Sequence, residues 1–218
     1  MQVVANNIAN AATTGFRAEG VIFSEYIQPV ENGKSLSMGQ GNVRNTSFEQ
    51  GGLSATGSSF DLAIEGDGYF LVQTPEGERL TRAGAFSPNA AGELVTYDGY
   101  PVLDAGGAPV FVPPNAAIAV SADGTLSADG NPLGQIGLVQ PTDAKDMVRE
   151  DGVMFRADSG FEPAENARIL QGFVEKSNVN PIGELARMIE VQRAYEMGQN
   201  FLQREDERVR AAVKALIS

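Results

Sequence analysis

The stretch FDLAIEGDGYFLVQT, Phe60 to Thr74, decides the fold. Two short apolar runs, Leu62–Ile64 and Tyr69–Val72, flank Gly66, Asp67 and Gly68. Neither run is long enough for a helix, and the Gly-Asp-Gly between them is turn chemistry. The texture continues outward through TPEGERLTRAGAFS (74–87), GELVTYDGYPVLD (92–104) and APVFVPP (108–114). Turn residues recur about every ten residues, the pattern of an all-β domain. GELVTYDGYPVL (92–103) and GTLSADGNPLG (124–134) resemble each other, each with an Asp-Gly pair suited to a tight hairpin. Two copies are too few for a solenoid, so two similar hairpins are expected. LGQIGLVQP (133–141) adds a strand, and MFRADSG (154–160) and ARILQGFVEKS (167–177) return the chain toward its last element.

That element is a helix from about Pro181 to Ile217, with Asn180 at the N-cap and Pro181 in the first turn. At ~1.5 Å per residue it would run roughly 55 Å. Leu185, Met188, Gln192, Tyr195, Gln199, Leu202, Asp206, Val209, Val213 and Leu216 step three and four residues apart, a heptad seam. One column (Met188, Tyr195, Leu202, Val209, Leu216) is apolar throughout. The other alternates apolar with Gln192, Gln199 and Asp206, which lowers pairing strength and favours one register. In REDERVR (204–210) Arg204 with Glu207 and Asp206 with Arg210 have ion-pair spacing. A helix this long overhangs a core of this size, so the seam is expected to meet a partner helix.

At the other end, VVANNIANAATTGF (3–16) spaces Val4, Ile8 and Ala11 as a helix stripe, and a helix over residues 1–14 is expected to stop at Gly15. Asn6, Asn7 and Asn10 are unusual there, because Asn competes for backbone hydrogen bonds. Asn6 and Asn10 lie beside the stripe. A carboxamide donates, accepts and carries no charge to repel an identical copy. Residues 16–60 are polar and Gly/Ser/Asn-rich, an extended connector with VIFSEYI (21–27) its clear strand.

Composition narrows the function. The 218 residues contain no Cys, His or Trp. Disulfides, zinc-thiolate sites, Cys nucleophiles and His bases are thereby removed. The net charge of −12 opposes binding to nucleic acid and to anionic membranes. No apolar run reaches membrane-spanning length, so no direct membrane insertion is expected, and no cleavable signal peptide is expected.

Three separated motifs, in order, carry a family resemblance. NNIANAATTGFR (6–17) resembles the N-terminal signature of bacterial flagellar axial proteins, the rod and hook subunits. EKSNVNPIGELARMIEVQRAYE (175–196) resembles their C-terminal signature. FDLAIEGDGYFLV (60–72), RLTRAGAFSPNAAGELVTYDGYPVL (79–103) and AVSADGTLS (119–127) fall between as expected. Within the family the short connector before QGGLSATG (50–57) favours a proximal rod subunit over a distal one. The resemblance implies an N-terminal helix that extends several turns before the Asn-rich motif, so Met1 is expected to fall inside that helix.

The resemblance implies an α+β fold: a mainly-β central domain of short antiparallel strands, with N- and C-terminal helices that pair as a coiled coil in the assembled state. The expected domains are 1–15 with 178–218 (terminal helices), 16–60 (connector) and 61–177 (β-rich). The expected function is structural, with no catalytic, cofactor or metal residues. Subunit contacts are expected at Asn6, Asn7, Ile8, Asn10, Asn178, Leu185, Met188, Gln192, Tyr195, Gln199, Leu202 and Val209. The implied partners are other flagellar rod subunits, neighbouring axial proteins and the flagellar type III export apparatus, and the implied location is the periplasm-spanning basal-body rod.

Three other readings are weaker. A glycan hydrolase could draw on Asp61, Glu65 and Asp67, but carboxylates beside glycines are common in turns. A calcium module could draw on Asp123 and Asp129, but each turn offers one carboxylate where a calcium loop needs several. A free-standing coiled-coil adaptor would use the long helix alone and leave the other motifs without a role.

Overall fold

The computed structural model describes residues 1–28 and 36–217, with side chains described for 1–22 and 45–215. The chain divides into two units. One comprises Met1–Ala9, Glu19–Asn45 and Asn180–Ser218, and the other Asn10–Ala18 and Thr46–Val179. Residues 10–18 and 46–60, expected with the terminal helix and the connector, thus belong to the β-rich unit.

The β-rich unit is built on a six-stranded antiparallel sheet. Its strand order is Met147–Glu150, Met154–Ala157, Gly77–Thr81, Tyr69–Thr74, Leu138–Pro141 and Phe161–Pro163. The two central strands pair Leu71 with Leu80 and Phe70 with Thr81. Side chains alternate across a strand. Phe70 and Val72 therefore enter one core with Leu62, Ile64, Phe86, Leu94 and Leu126, while Tyr69 and Leu71 enter a second with Leu80, Val139 and Phe155. Both faces of this strand are covered, which explains its unbroken apolar run. Aromatic edges close each core: Phe70 meets Phe86 at 5.1 Å between ring centres, and Tyr69 meets Phe155 at 6.1 Å.

Smaller pairings complete the unit. A three-stranded sheet joins Ile118–Val120, Thr125–Ala128 and Asn131–Gln135. Leu62–Glu65 pairs with Arg168–Gln171, and Leu53–Ala55 with Phe173–Glu175. The two related Asp-Gly segments fold differently. Asp129 and Gly130 both have positive φ (51° and 82°), as a two-residue hairpin turn requires. In the other segment Gly99 (φ 86°) takes that conformation and Asp98 does not. That turn is closed by the Gly99 N–H on the Thr96 carbonyl at 2.9 Å.

The helical unit holds α1 (Gln2–Ala9), α2 (Pro181–Ile217) and a two-stranded sheet of Glu19–Gln28 with Leu36–Thr46. The expected strand over 21–27 lies within the first of these. Helix α1 lies against α2 and against the strand Glu19–Gln28. As expected, α2 starts at Pro181. The Asn180 side chain caps it by accepting from the Gly183 N–H at 3.1 Å. Among the described residues no helix is long and apolar enough to cross a membrane.

Helix α1 ends at Ala9, short of the expected stop at Gly15. From Asn10 the chain turns: the Thr13 N–H bonds the Asn10 carbonyl at 3.1 Å, and the Thr13 hydroxyl donates to Asn10 Oδ1 at 3.1 Å. Local side-chain bonds of this kind compete with helix continuation. Gly15 (φ 70°) does not cap a helix. It lets the backbone pass against Ala83, where an added Cβ would stand 2.3 Å from the Ala83 nitrogen.

Candidate assembly surface

Among the described residues, α2 carries a row of exposed apolar side chains. Leu185, Tyr195, Leu202 and Val209 are all exposed, Tyr195 to 66% and Leu202 to 68%. Ile182, Ile189, Met197, Phe201 and Val213 are exposed as well. Met188 is half-buried, and the side chain of Leu216 lies outside the described residues. Among the described residues of α2 none is buried. The polar seam residues bond along the helix: Gln192 Nε2 donates to Glu196 at 3.2 Å, and Gln199 Nε2 to the Tyr195 hydroxyl at 2.8 Å. The ionic residues do the same, Arg210 with Asp206 at 2.9 Å and Arg208 with Glu205 at 2.7 Å. The face thus presents apolar side chains between charges already neutralised one turn away.

The asparagines of the N-terminal motif divide. Asn7 is 1% exposed. Its Nδ2 donates to the Glu19 carbonyl at 2.8 Å, and its Oδ1 accepts from the Glu19 N–H at 2.9 Å. Asn6 Nδ2 reaches the Glu19 carboxylate at 3.2 Å. Asn6, Ile8 and Asn10 are half-buried. Two of the three amides therefore fasten α1 to the first residue of the following strand.

Asn178 belongs to the β-rich unit. Its Oδ1 accepts from the Ala18 N–H at 2.6 Å, and its Nδ2 donates to the carbonyls of Ser47 (3.3 Å) and Glu49 (2.8 Å). One amide thereby joins three backbone segments.

Beside Asn178 lies a cluster that the sequence reading missed. Arg17 pairs with Glu175 at 2.7 Å, both side chains 1% exposed, and Arg82 pairs with the other Glu175 oxygen at 3.2 Å. Glu175 Oε1 also accepts from the Gly51 N–H at 2.9 Å. Arg17 donates to the Glu49 carbonyl, and Arg82 to that of Gly66 at 2.7 Å. Two buried guanidiniums share one carboxylate. Burial pulls the Arg17 pKa below its ordinary value; Glu175 opposes that pull and Arg82 adds to it. Arg149 completes the site, its guanidinium lying between the rings of Phe16 (4.6 Å) and Phe155 (4.8 Å). These residues are far apart in sequence, and charged side chains are rarely buried. The one readable cue was that Arg17 and Glu175 fall inside the two terminal motifs and Arg82 inside a motif between them.

Of the carboxylates weighed for other functions, Asp61, Glu65, Asp123 and Asp129 occupy structural places. Asp123 accepts from the Thr125 N–H (3.1 Å) and hydroxyl (2.8 Å), which holds its pKa below the usual carboxylate value. Asp129 accepts from the Ala117 N–H at 3.0 Å. Asp61 sits in a bridge with Ala85, and Glu65 lies opposite Arg168 in a strand pair. Among the described residues no group of three or more carboxylates is placed to hold a metal ion.

Three family models match the chain. Residues 1–17 match "Flagella basal body rod protein", 63–128 match "Flagellar hook protein FlgE/F/G D1 domain", and 170–215 match "Flagellar basal body rod FlgEFG protein C-terminal". The flagellar basal-body rod protein FlgF of Caulobacter vibrioides is 40% identical over 99% of this chain and 91% of its own length. FlgF of Mesorhizobium japonicum is 42% identical over 90% of this chain and 83% of its own. The rod protein FlgG of Bacillus subtilis is 31% identical over 95% of this chain and 89% of its own.

Proposed function

The chain belongs to the family of flagellar basal-body rod proteins, and from that premise we propose how it builds into the rod. It is a structural subunit of the rod, more similar to FlgF (40 and 42% identity) than to FlgG (31%). In our reading it occupies the proximal rod and catalyses no reaction. It leaves the cytoplasm through the flagellar export apparatus without cleavage, and it meets other rod subunits and neighbouring axial proteins in the periplasm-spanning basal body.

Assembly proceeds through the terminal helices, which pair as a coiled coil in the polymer. Leu185, Met188, Gln192, Tyr195, Gln199, Leu202 and Val209 form the α2 side of the contact. Asn6 and Ile8 on α1, with Asn10 in the turn that follows it, form the other side. Asn7 contributes by fixing α1 on Glu19, and Asn178 by fixing the segment that leads into α2. The single observation that carries this reading is the exposed apolar column of α2. An amphipathic helix of this length gains most of its stability from packing of its apolar face.

Hydrogen exchange on the full chain at low and high protein concentration tests it. Residues 1–9 and 181–217 should exchange fast when dilute and gain protection on concentration, while 60–175 stay protected throughout. Protection of α2 at every concentration would overturn the proposal.

A further inference from the structure

The two segments of the β-rich unit that lead toward the helices, 15–18 and 175–178, are hydrogen-bonded to each other. The Gly15 N–H donates to the Glu175 carbonyl at 2.8 Å, the Asn178 N–H to the Phe16 carbonyl at 3.3 Å, and the Ala18 N–H to Asn178 Oδ1 at 2.6 Å. The Arg17–Glu175–Arg82 ion triad lies under this short ladder, and Phe16 beside it is 1% exposed. All of these atoms lie in the β-rich unit.

We infer that this cluster is a clasp: the β-rich unit holds its two helix-bearing ends together before any subunit contact forms. Arg17, Glu175 and Asn178 are its positioning residues. The inference rests on the assembly reading above and adds a division of labour to it. Bringing two distant chain segments together has an entropic cost that grows with the loop between them. A clasp closed in the monomer moves that cost from assembly to folding of the β-rich unit. The terminal helices then begin pairing at high effective concentration. Glu175 is central, because removing one partner of a buried ion cluster leaves the other charges uncompensated. Gly51 adds to this dependence, since its N–H also needs the Glu175 oxygen.

The test uses the full chain under dilute conditions, with exchange read peptide by peptide and trypsin cleavage after Arg17 read by mass spectrometry. In the wild type, residues 10–18 should be protected while 1–9 and 181–217 exchange freely, and Arg17 should resist trypsin. Glu175→Gln should raise cleavage after Arg17 at least tenfold and leave protection of 69–81 unchanged. Asn178→Ala, a milder change outside the ion triad, should act in the same direction should Glu175→Gln fail to fold. Leu202→Asp should leave Arg17 as protected as in the wild type. Exchange of 10–18 together with the helices in the wild type would overturn the clasp, and so would unchanged cleavage in Asn178→Ala. Neither result bears on whether α2 associates, so the two proposals fail separately.

Discussion

Asn7 and Glu19 bond to each other twice: the Asn7 amide donates to the Glu19 carbonyl at 2.8 Å and accepts from its N–H at 2.9 Å. The carboxamide thereby acts as an extra peptide group at the start of the strand, and it pins the face of α1 that carries it. An Asn in a short helix is costly in isolation. Here it satisfies two backbone groups that would otherwise need partners. Asn7→Ala should destabilise the docking of α1 by about 1–3 kcal/mol, the cost of leaving buried polar groups unmet. The measurement is exchange at the Glu19 amide and, in concentrated protein where residues 2–9 are expected to be protected, over those residues; unchanged protection there would refute the assignment.

Asn10 differs from Asn7 because it is half-buried and bonds within its own turn, to Thr13. Asn10→Ala should lower assembly with the thermal midpoint of the β-rich unit unchanged. Sedimentation velocity and calorimetry on the same sample separate the two effects. Normal assembly would remove Asn10 from the contact surface.

Leu202 contributes little to the monomer, being 68% exposed. Leu202→Asp should alter folding stability by no more than about 0.5 kcal/mol, as for other surface changes. Its effect should appear in self-association, because it places a charge in the apolar column. A large loss of stability without any change in association would show that α2 serves the fold and not the assembly.

Gly15→Ala should be severe. The φ of 70° and the 2.3 Å approach to the Ala83 nitrogen oppose any Cβ. Backbone strain alone costs on the order of 1–3 kcal/mol, and the clash adds to it. Chemical denaturation should show the loss. A wild-type midpoint would mean that the segment can shift away from Ala83.

Alkaline pH should weaken the β-rich unit through Tyr69. Burial raises its phenol pKa, with Arg82 and Arg17 opposing that shift. The folded state therefore binds this proton more tightly than the unfolded chain. The contribution is complete below the unfolded value of about 10 and is lost as pH rises toward the folded pKa, by at most about 1.4 kcal/mol per pH unit. Tyr69→Phe should flatten the stability profile above pH 10. An unchanged slope would assign the alkaline transition to another group.

Legibility followed the range of the interaction. Strand 69–74 was readable because its apolar run and flanking glycines are local. The start of α2 was readable because Asn180 and Pro181 act on their own helix turn. The end of α1 was misread because Gly15 has positive φ for either of two reasons, helix capping or close approach, and only the neighbouring Ala83 distinguishes them. The two Asp-Gly turns look alike in sequence, yet only one takes positive φ at both residues, since the strands around each turn decide its type.

Sequence by itself determined the family, the β-rich centre and the long terminal helix, because periodicity, turn residues and ordered motifs are properties of the chain as written. Tertiary structure alone decided the roles of Arg17, Arg82, Glu175, Asn7 and Asn178. Their partners lie across loops of many residues. Buried charges and amides take their meaning from the donors and acceptors that folding brings within about 3 Å.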